Sequence, residues 1–532
     1  MGKIIVYLSL MTGLIAQNSY LIPFDWGGQN GMIITDGSLF WNQAWNSGML
    51  LFDGTYSTYP NRYGPHITRK FQQSGIGVLP SWSEWPDSDK VDTYFDYYRG
   101  DYLYDQLEVG ADFENPGRKI GFRGFKRTHG GNTGHYLHPG GGSSPIHHSY
   151  RVNYKTKKDN QKLEASAGRF VTRSGLPDST TNGLENDNIL SAGLRYQRYL
   201  GNWTMNTYVG QFFEHRLVHH SSMADSNYQD INRGRINIQF DVPSGITFGL
   251  TQEYQQVSDN LHNRSLKWTK LYSAKSIGNL SLMGGVQILN SDDSFPFLWE
   301  LNYLKTLRKG FIQVTSTGFP NPKHPHLDDP LDKSSFEFWS RSAIRSGISQ
   351  GGISVNGLLS FVQRGIDADE DEKILFTGVD IEYRFKKGWK VYSNVITQLD
   401  SSIYGGGIGT MIVTGLHGNL NLFKRSMKID AHLWGNGSMS RFSSFGFDPI
   451  RHVPFSNTNS EWILPDKWLL HFEAKANVSG VIISYKINNI LNAVSGFSSN
   501  GLKDDNIWVR PNHLYPPLGR MMQFGITWHF KN

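Results

Sequence analysis

From about residue 91 to the C-terminus, apolar and polar side chains alternate along this chain. Ile236-Asn237-Ile238-Gln239-Phe240-Asp241-Val242 and Ile246-Thr247-Phe248-Gly249-Leu250-Thr251 flank the turn Pro243-Ser244-Gly245. Each arm has the two-residue period of a strand with one oily and one wet face. A three-residue turn sets Val242 against Ile246, Phe240 against Phe248 and Ile238 against Leu250, all on one face. Helical periodicity cannot give that match on both sides of a turn. About 22 such segments follow one another from Val91 onward, with starts near Tyr102, Arg235 and Ile374 among them. Most are at least as long as the ~9–11 residues that a tilted strand needs to cross a bilayer.

The connections alternate as well. Lys157-Lys158-Asp159-Asn160, Gly201-Asn202, Pro243-Ser244-Gly245, Ile277-Gly278-Asn279, Lys386-Lys387-Gly388, Lys424-Arg425 and Ser479-Gly480 are short. Thr128–His147, His215–Gly234, Pro320–Ser335, Gly435–Pro465 and Asn492–Arg520 are long and polar. Loop length that follows strand parity is the habit of outer-membrane barrels, with short periplasmic turns and long external loops. Trp203 and Trp389 just after short turns, and Phe385 just before one, fall where an interfacial aromatic girdle lies. The pattern therefore predicts an all-β fold, a transmembrane antiparallel up-and-down β-barrel of about 22 strands over residues 91–532.

Composition narrows the picture. Glycine numbers 57 of 532 residues and aromatics are 13%, which argues against disorder. Mean hydropathy is −0.43, and beyond the N-terminus no apolar run reaches the ~18 residues of a membrane helix. Cysteine is absent, which removes disulfides, thiolate metal sites and cysteine nucleophiles. Net charge is +6 with no basic block, so nucleic acid is not an expected partner. Lys3 followed by the apolar run from Ile4 to Ala16, with polarity returning at Gln17, reads as an export signal over residues 1–16. Residues 17–90 form a short region rich in Gly, Trp, Pro and Ser.

The last strand, Met522-Gln523-Phe524-Gly525-Ile526-Thr527-Trp528-His529-Phe530, places Phe524, Ile526, Trp528 and Phe530 on one face. It resembles the terminal signal by which outer-membrane barrels are recognised for insertion. Tyr515-Pro516-Pro517-Leu518-Gly519-Arg520 resembles the Pro-Gly-Arg element opening the last strand of TonB-dependent receptors. Lys486-Ile487-Asn488-Asn489-Ile490-Leu491-Asn492 resembles the element on their penultimate strand. The resemblance implies outer-membrane lipid, lipopolysaccharide and the barrel-assembly machinery as partners. Such receptors begin with an energy-coupling box and a long plug. Residues 17–90 show no plug motif, so they are read as a reduced plug or as extra strands, and the chain as a plugless or short-plug, porin-like relative. Coupling to a TonB-type protein is left open.

Parity assigns the inner wall. Leu375, Thr377, Val379, Ile381, Tyr383 and Phe385 face lipid, leaving Asp380, Glu382 and Arg384 inside. Lys390, Asn394, Gln398 and Asp400 follow on the next arm, and His471, Glu473 and Lys475 on a later one. Both signs of charge suit a wet, mixed lumen. If Lys424-Arg425 make the turn, Leu422 opposes Met427, Asn419 opposes Asp430 and His417 opposes His432, the histidines facing the lumen. Two imidazoles at cross-strand distance are able to titrate near neutrality or to offer two metal ligands, short of a full site. Histidines at His129, His135 and His138, with Trp462, Trp508 and Tyr515, are candidates for solute capture in external loops. Arg99-Gly100-Asp101 reads as a tight turn between strands.

No His-Glu-x-x-His helix, phosphate loop or nucleophile elbow occurs, so neither an enzyme nor a bound cofactor is expected. The expected function is transport of a small, nutrient-sized solute through the lumen after loop capture, in a Gram-negative outer membrane. The alternative is a non-transporting surface barrel, an adhesin or a polysaccharide-associated structural protein.

Overall fold

The computed structural model describes residues 85–131, 137, 146–176, 183–220, 226–260, 263–289, 296–322, 336–367, 370–386, 388–399, 409–439, 466–491 and 519–531, together with short strands at 19–21, 33–35, 38–40, 444–447 and 454–457. The barrel strands are β1 (Lys90–Gly100), β2 (Asp105–Asn115), β3 (Arg118–Thr128), β4 (His147–Lys158), β5 (Gln161–Gly175), β6 (Leu184–Leu200), β7 (Trp203–His219) and β8 (Asn227–Asp241). They continue as β9 (Ile246–Asp259), β10 (Asn263–Ile277), β11 (Leu280–Leu289), β12 (Phe297–Leu307), β13 (Gly310–Pro322), β14 (Phe336–Gln350) and β15 (Ile353–Asp367). The remainder are β16 (Glu370–Lys386), β17 (Trp389–Gln398), β18 (Thr410–Leu422), β19 (Met427–Met439), β20 (Lys467–Val478), β21 (Val481–Asn488) and β22 (Met521–Lys531).

Each strand pairs antiparallel with its sequence neighbours, and β22 closes on β1 from Gln523↔Gly100 to Lys531↔Asp92. The result is a closed 22-strand antiparallel barrel, which leaves no sheet edge unpaired. Among the described residues no helix is long and apolar enough to cross a membrane. Val379, Ile381, Tyr383 and Phe385 are exposed on the outer face while Ile374 and Phe376 are buried on the inner one, as alternation requires. The three short strands between Ser19 and Phe40 pair in a sheet of their own and add nothing to the barrel wall.

Registers read from turn length hold. Phe240 pairs with Phe248 and Ile238 with Leu250, and the Val242 N–H donates to the Ile246 carbonyl (2.9 Å). The Lys424 turn is a single 3-10 turn at Phe423–Arg425, yet Leu422↔Met427, Asn419↔Asp430 and His417↔His432 all stand. Arg99-Gly100-Asp101 lies at the tight β1–β2 turn, where the Tyr104 N–H donates to the Asp101 carbonyl (3.1 Å).

Strand ends differ where the strands leave the apolar layer. The expected loop His215–Gly234 is mostly strand, since β7 runs on to His219 and β8 begins at Asn227. His215 Nδ1 and an Asp230 carboxylate oxygen lie 2.5 Å apart across these two strands. Beyond the lipid the outward face turns polar, so alternation disappears while the backbone ladder continues. The start expected near Ile374 moves to Glu370 for the same reason, and that near Tyr102 moves to Asp105.

The high glycine and aromatic content has a shared structural cause. Tyr94 pairs directly with Gly110, Tyr272 with Gly249 and Tyr392 with Gly415 on the inner face. Tyr254 pairs with Gly234, Trp299 with Gly318 and Trp389 with Gly418 on the outer one. At each of these glycines a β-carbon would run into the partner's ring, so the missing side chain lets the ring lie across the neighbouring strand.

Candidate functional site

Strands β12–β20 line a cavity of about 890 Å³ at the short-turn end of the barrel, with Thr306, Arg308, Lys309 and Asn356 contributed by β12–β15 and their turns. Register stacks its polar groups in rows around the wall. Arg384, Lys390, His417, His432 and Glu473 are successive cross-strand partners. The next row runs Glu382, Tyr392, Gly415, Trp434 and His471. Eight residues assigned inward from parity (Asp380, Glu382, Arg384, Lys390, Asn394, His417, His432 and Glu473) thus share this cavity, while His471 sits one row up. Asp400 lies outside the described residues.

Charges here are paired locally. Glu382 accepts hydrogen bonds from Arg384 Nε (2.7 Å) and Lys390 Nζ (2.9 Å). Asn394 donates to Asp380, His417 Nε2 lies 2.9 Å from an Asp430 oxygen, and Lys475 Nζ lies 3.0 Å from Glu473. His417 and His432 do meet, their ring centroids 5.7 Å apart and nearly perpendicular. Their Nε2 atoms point to different partners, Asp430 and the Tyr392 hydroxyl (2.7 Å). Among the described residues no group of three or more His, Asp or Glu is placed to hold a metal ion.

Tyr392 and Trp434 were missed by the sequence reading. Aromatics were assigned to lipid, although Tyr392 shares parity with Lys390 and Asn394. The Tyr392 ring lies over Gly415 on β18 and so reaches His432 on β19, two strands away. Trp434 is stacked between His432 (4.4 Å) and His471 (5.2 Å), each at 17°. His471 is buried, and its Nδ1 accepts from the Asn489 N–H (3.4 Å), tying it to the penultimate-strand element. It is thus packed into the wall.

A second inward cluster, on β8–β10, was not anticipated at all. Glu253, only 1% exposed, receives Arg233 (2.6 Å), Arg235 (3.0 Å) and Lys270 (3.2 Å). Arg233 also lies over the Trp268 ring at 5.4 Å. On β6 and β7, Arg216 Nε meets Glu185 at 2.9 Å, both buried. These groups share the inward parity of the cavity wall but are closed off.

Of the loop candidates, His135, His138, Trp462, Trp508 and Tyr515 lie outside the described residues. His129 is 1% exposed beneath Tyr102 and Tyr104, with ring centroids 6.4 and 6.1 Å away, and burial pushes its pKa down to about 3. It does not present itself at the surface. Phe524, Trp528 and Phe530 are exposed on the outer face of β22 and Ile526 is half-buried there, with Trp528 and Phe530 stacked at 4.4 Å.

No protein-family model and no curated protein matches the sequence. Solved structures do. The copper transporter OprC superposes with a TM-score of 0.64 at 11% identity over 95% of this chain and 93% of that one. The FrpB iron transporter from Neisseria meningitidis (F5-1 variant) gives 0.62 at 11% identity over 84% and 83%. The ferric yersiniabactin uptake receptor FyuA from Yersinia pestis gives 0.61 at 13% identity over 94% and 91%. The fold is that of the TonB-dependent receptor barrel. At such identities the likeness carries the receptor-type wall and its strand number; the side chains lining the lumen are this chain's own.

Proposed function

We propose that this protein is an outer-membrane transport protein that passes a small, nutrient-sized solute through its lumen. One observation carries the reading: the closed barrel encloses a cavity of about 890 Å³ walled by Asp380, Glu382, Lys390, Asn394, Tyr392 and His417, polar groups of both signs. A wall of both signs, in which Glu382 is engaged by Arg384 and Lys390 and Asp430 by His417, favours a hydrogen-bonding solute over strong selection for one ion sign. The proteins that share the fold are named as transporters or uptake receptors, which supports the same reading. External loops would supply capture, and a TonB-type protein would supply energy if passage is energised.

Solute entry into proteoliposomes of the full chain tests this. Entry above the protein-free rate is expected, falling back when Asn394→Trp and Asn356→Trp, both on the inward face, narrow the cavity. Unchanged entry in the filled variant would place the path elsewhere. Silence of the wild-type barrel both alone and with the energised coupling protein would reject transport.

A further inference from the structure

Two aromatic rings line the cavity on either side of a polar row. Phe311 on β13 pairs with Gly347 on β14, and its ring reaches over that strand because the glycine has no β-carbon to stop it. Tyr392 on β17 lies over Gly415 on β18 in the same way. Between them one register row carries Asn356 on β15, Asp380 on β16 and Asn394 on β17. From β14 to β18 the two platforms are about 19 Å apart along the wall at the usual strand spacing.

Other inward rings laid over glycines are differently placed. Tyr272 is buried, and its hydroxyl accepts from Asn237 (3.1 Å). Tyr94 is stacked on His529 (5.4 Å), with the Arg123 guanidinium 5.5 Å from its ring. Tyr98 lies over Gly525 on the β22 side, outside the cavity lining. Phe311 and Tyr392 are half-buried and line the cavity itself. Lys390 Nζ stands 5.9 Å from the Tyr392 ring centroid and is drawn to Glu382 (2.9 Å). The charges of the lining balance, with Arg308, Lys309, Arg384 and Lys390 against Asp380, Glu382, Asp430 and Glu473. A highly charged solute of either sign therefore meets as much repulsion as attraction.

We propose that this surface binds a neutral oligosaccharide of a few sugar units, an inference that deepens the transport reading and rests on it. A pyranose has an apolar C–H face and a rim of hydroxyls. Two such faces pack on the Phe311 and Tyr392 rings, which offer flat apolar area. Hydroxyls between them bond to Asn356, Asp380 and Asn394. An amide side chain both donates and accepts, and a carboxylate accepts charge-assisted bonds from hydroxyls, so the row matches a ligand whose every hydroxyl does both. Platforms so far apart suit a chain of sugars rather than a single ring. The cavity of about 890 Å³ has the size of sites that enclose such ligands.

The test offers maltotriose, mannotriose and xylotriose to the full chain in deuterated detergent. Binding is read by saturation-transfer difference NMR with irradiation of aromatic protons, beside entry of the same sugars into proteoliposomes. At least one trisaccharide is expected to bind saturably, to take up saturation at its ring C–H protons and to keep its affinity from low to high salt. Tyr392→Leu and Phe311→Leu, which keep apolar bulk, should each weaken binding about two- to tenfold. Tyr392→Phe should keep most of it, and Tyr254→Phe, on the outer face, should bind as wild type does. Heat-modifiable migration establishes that each variant is folded. No saturable trisaccharide, unchanged binding in both Leu variants, or tighter binding of citrate or spermidine at the same rings would each overturn the proposal. Sugar binding without entry, energised or not, would reject transport and leave the sugar site standing. Entry of amino acids without sugar binding would reject the sugar site and leave transport standing.

Discussion

Two stretches of inner wall follow one rule of alternation and end in different states. On β8–β10 three cations converge on Glu253 and the whole group is closed to solvent. On β16–β19 Glu382 and Asp430 are also paired, but their side chains remain 26% and 37% exposed beside a cavity. Parity says which way a side chain points; it says nothing about what lies over it. A closed polar cluster fixes structure, since its charges have exchanged water for one another. A reachable cluster of the same residue types is able to meet a solute.

The largest expected effect breaks the first stretch. Glu253→Gln leaves Arg233, Arg235 and Lys270 closed in without their carboxylate, which costs about 3–5 kcal/mol. Glu382→Gln removes a comparable set of contacts from a partly exposed site and costs about 1 kcal/mol or less. Denaturant unfolding of the two variants side by side gives the answer. Equal losses would erase the distinction drawn between the two walls.

Much of the barrel was legible in the sequence. Periodicity gave the strand number, and turn length gave the His417–His432 pairing to the residue. Legibility failed wherever the outer face leaves lipid, as at β7–β8, because polarity on both faces erases the two-residue signal while His215 and Asp230 still pair. It failed again for Tyr392, whose inward ring depends on a glycine one strand away in space and distant in sequence. The Glu253 cluster was invisible for a third reason. Four charged residues on three strands announce inward parity, and only tertiary covering makes them a closed group.

A smaller effect sharpens the second stretch. Gly415→Val places a branched side chain under the Tyr392 ring, at an expected cost of about 1–3 kcal/mol. It also displaces the Tyr392 hydroxyl from His432. Tyr392→Ala in the same background should recover part of that loss, because the clash has gone, giving a coupling energy in a double-mutant cycle. Strict additivity would mean that the ring does not depend on the glycine, and the reachable wall would then lack its main packing device.

The smallest effect asks whether closure of a polar group at the external end behaves as it does on the wall. Burial, helped by the Arg127 charge, holds the His129 pKa down at about 3 against an ordinary value of 6.5. The folded protein therefore keeps His129 neutral, whereas the unfolded segment takes up a proton as pH falls through 6.5. Stability from the neutral ring is fully present above that value and is lost progressively down to about pH 3. Between pH 8 and pH 5.5 the loss is about 1 kcal/mol. Because the Gly130 N–H donates to the Tyr102 carbonyl (2.7 Å), opening around His129 releases the β1–β2 turn, where Tyr102 and Leu103 sit at positive φ of 57° and 60°. Amide exchange at Gly130 and Tyr104 should accelerate on acidification beyond the chemical trend, and His129→Phe, which fills the site without a titrating nitrogen, should flatten the response. An unchanged acid response in His129→Phe would mean that the ring is open to water and that closure stops short of the rim.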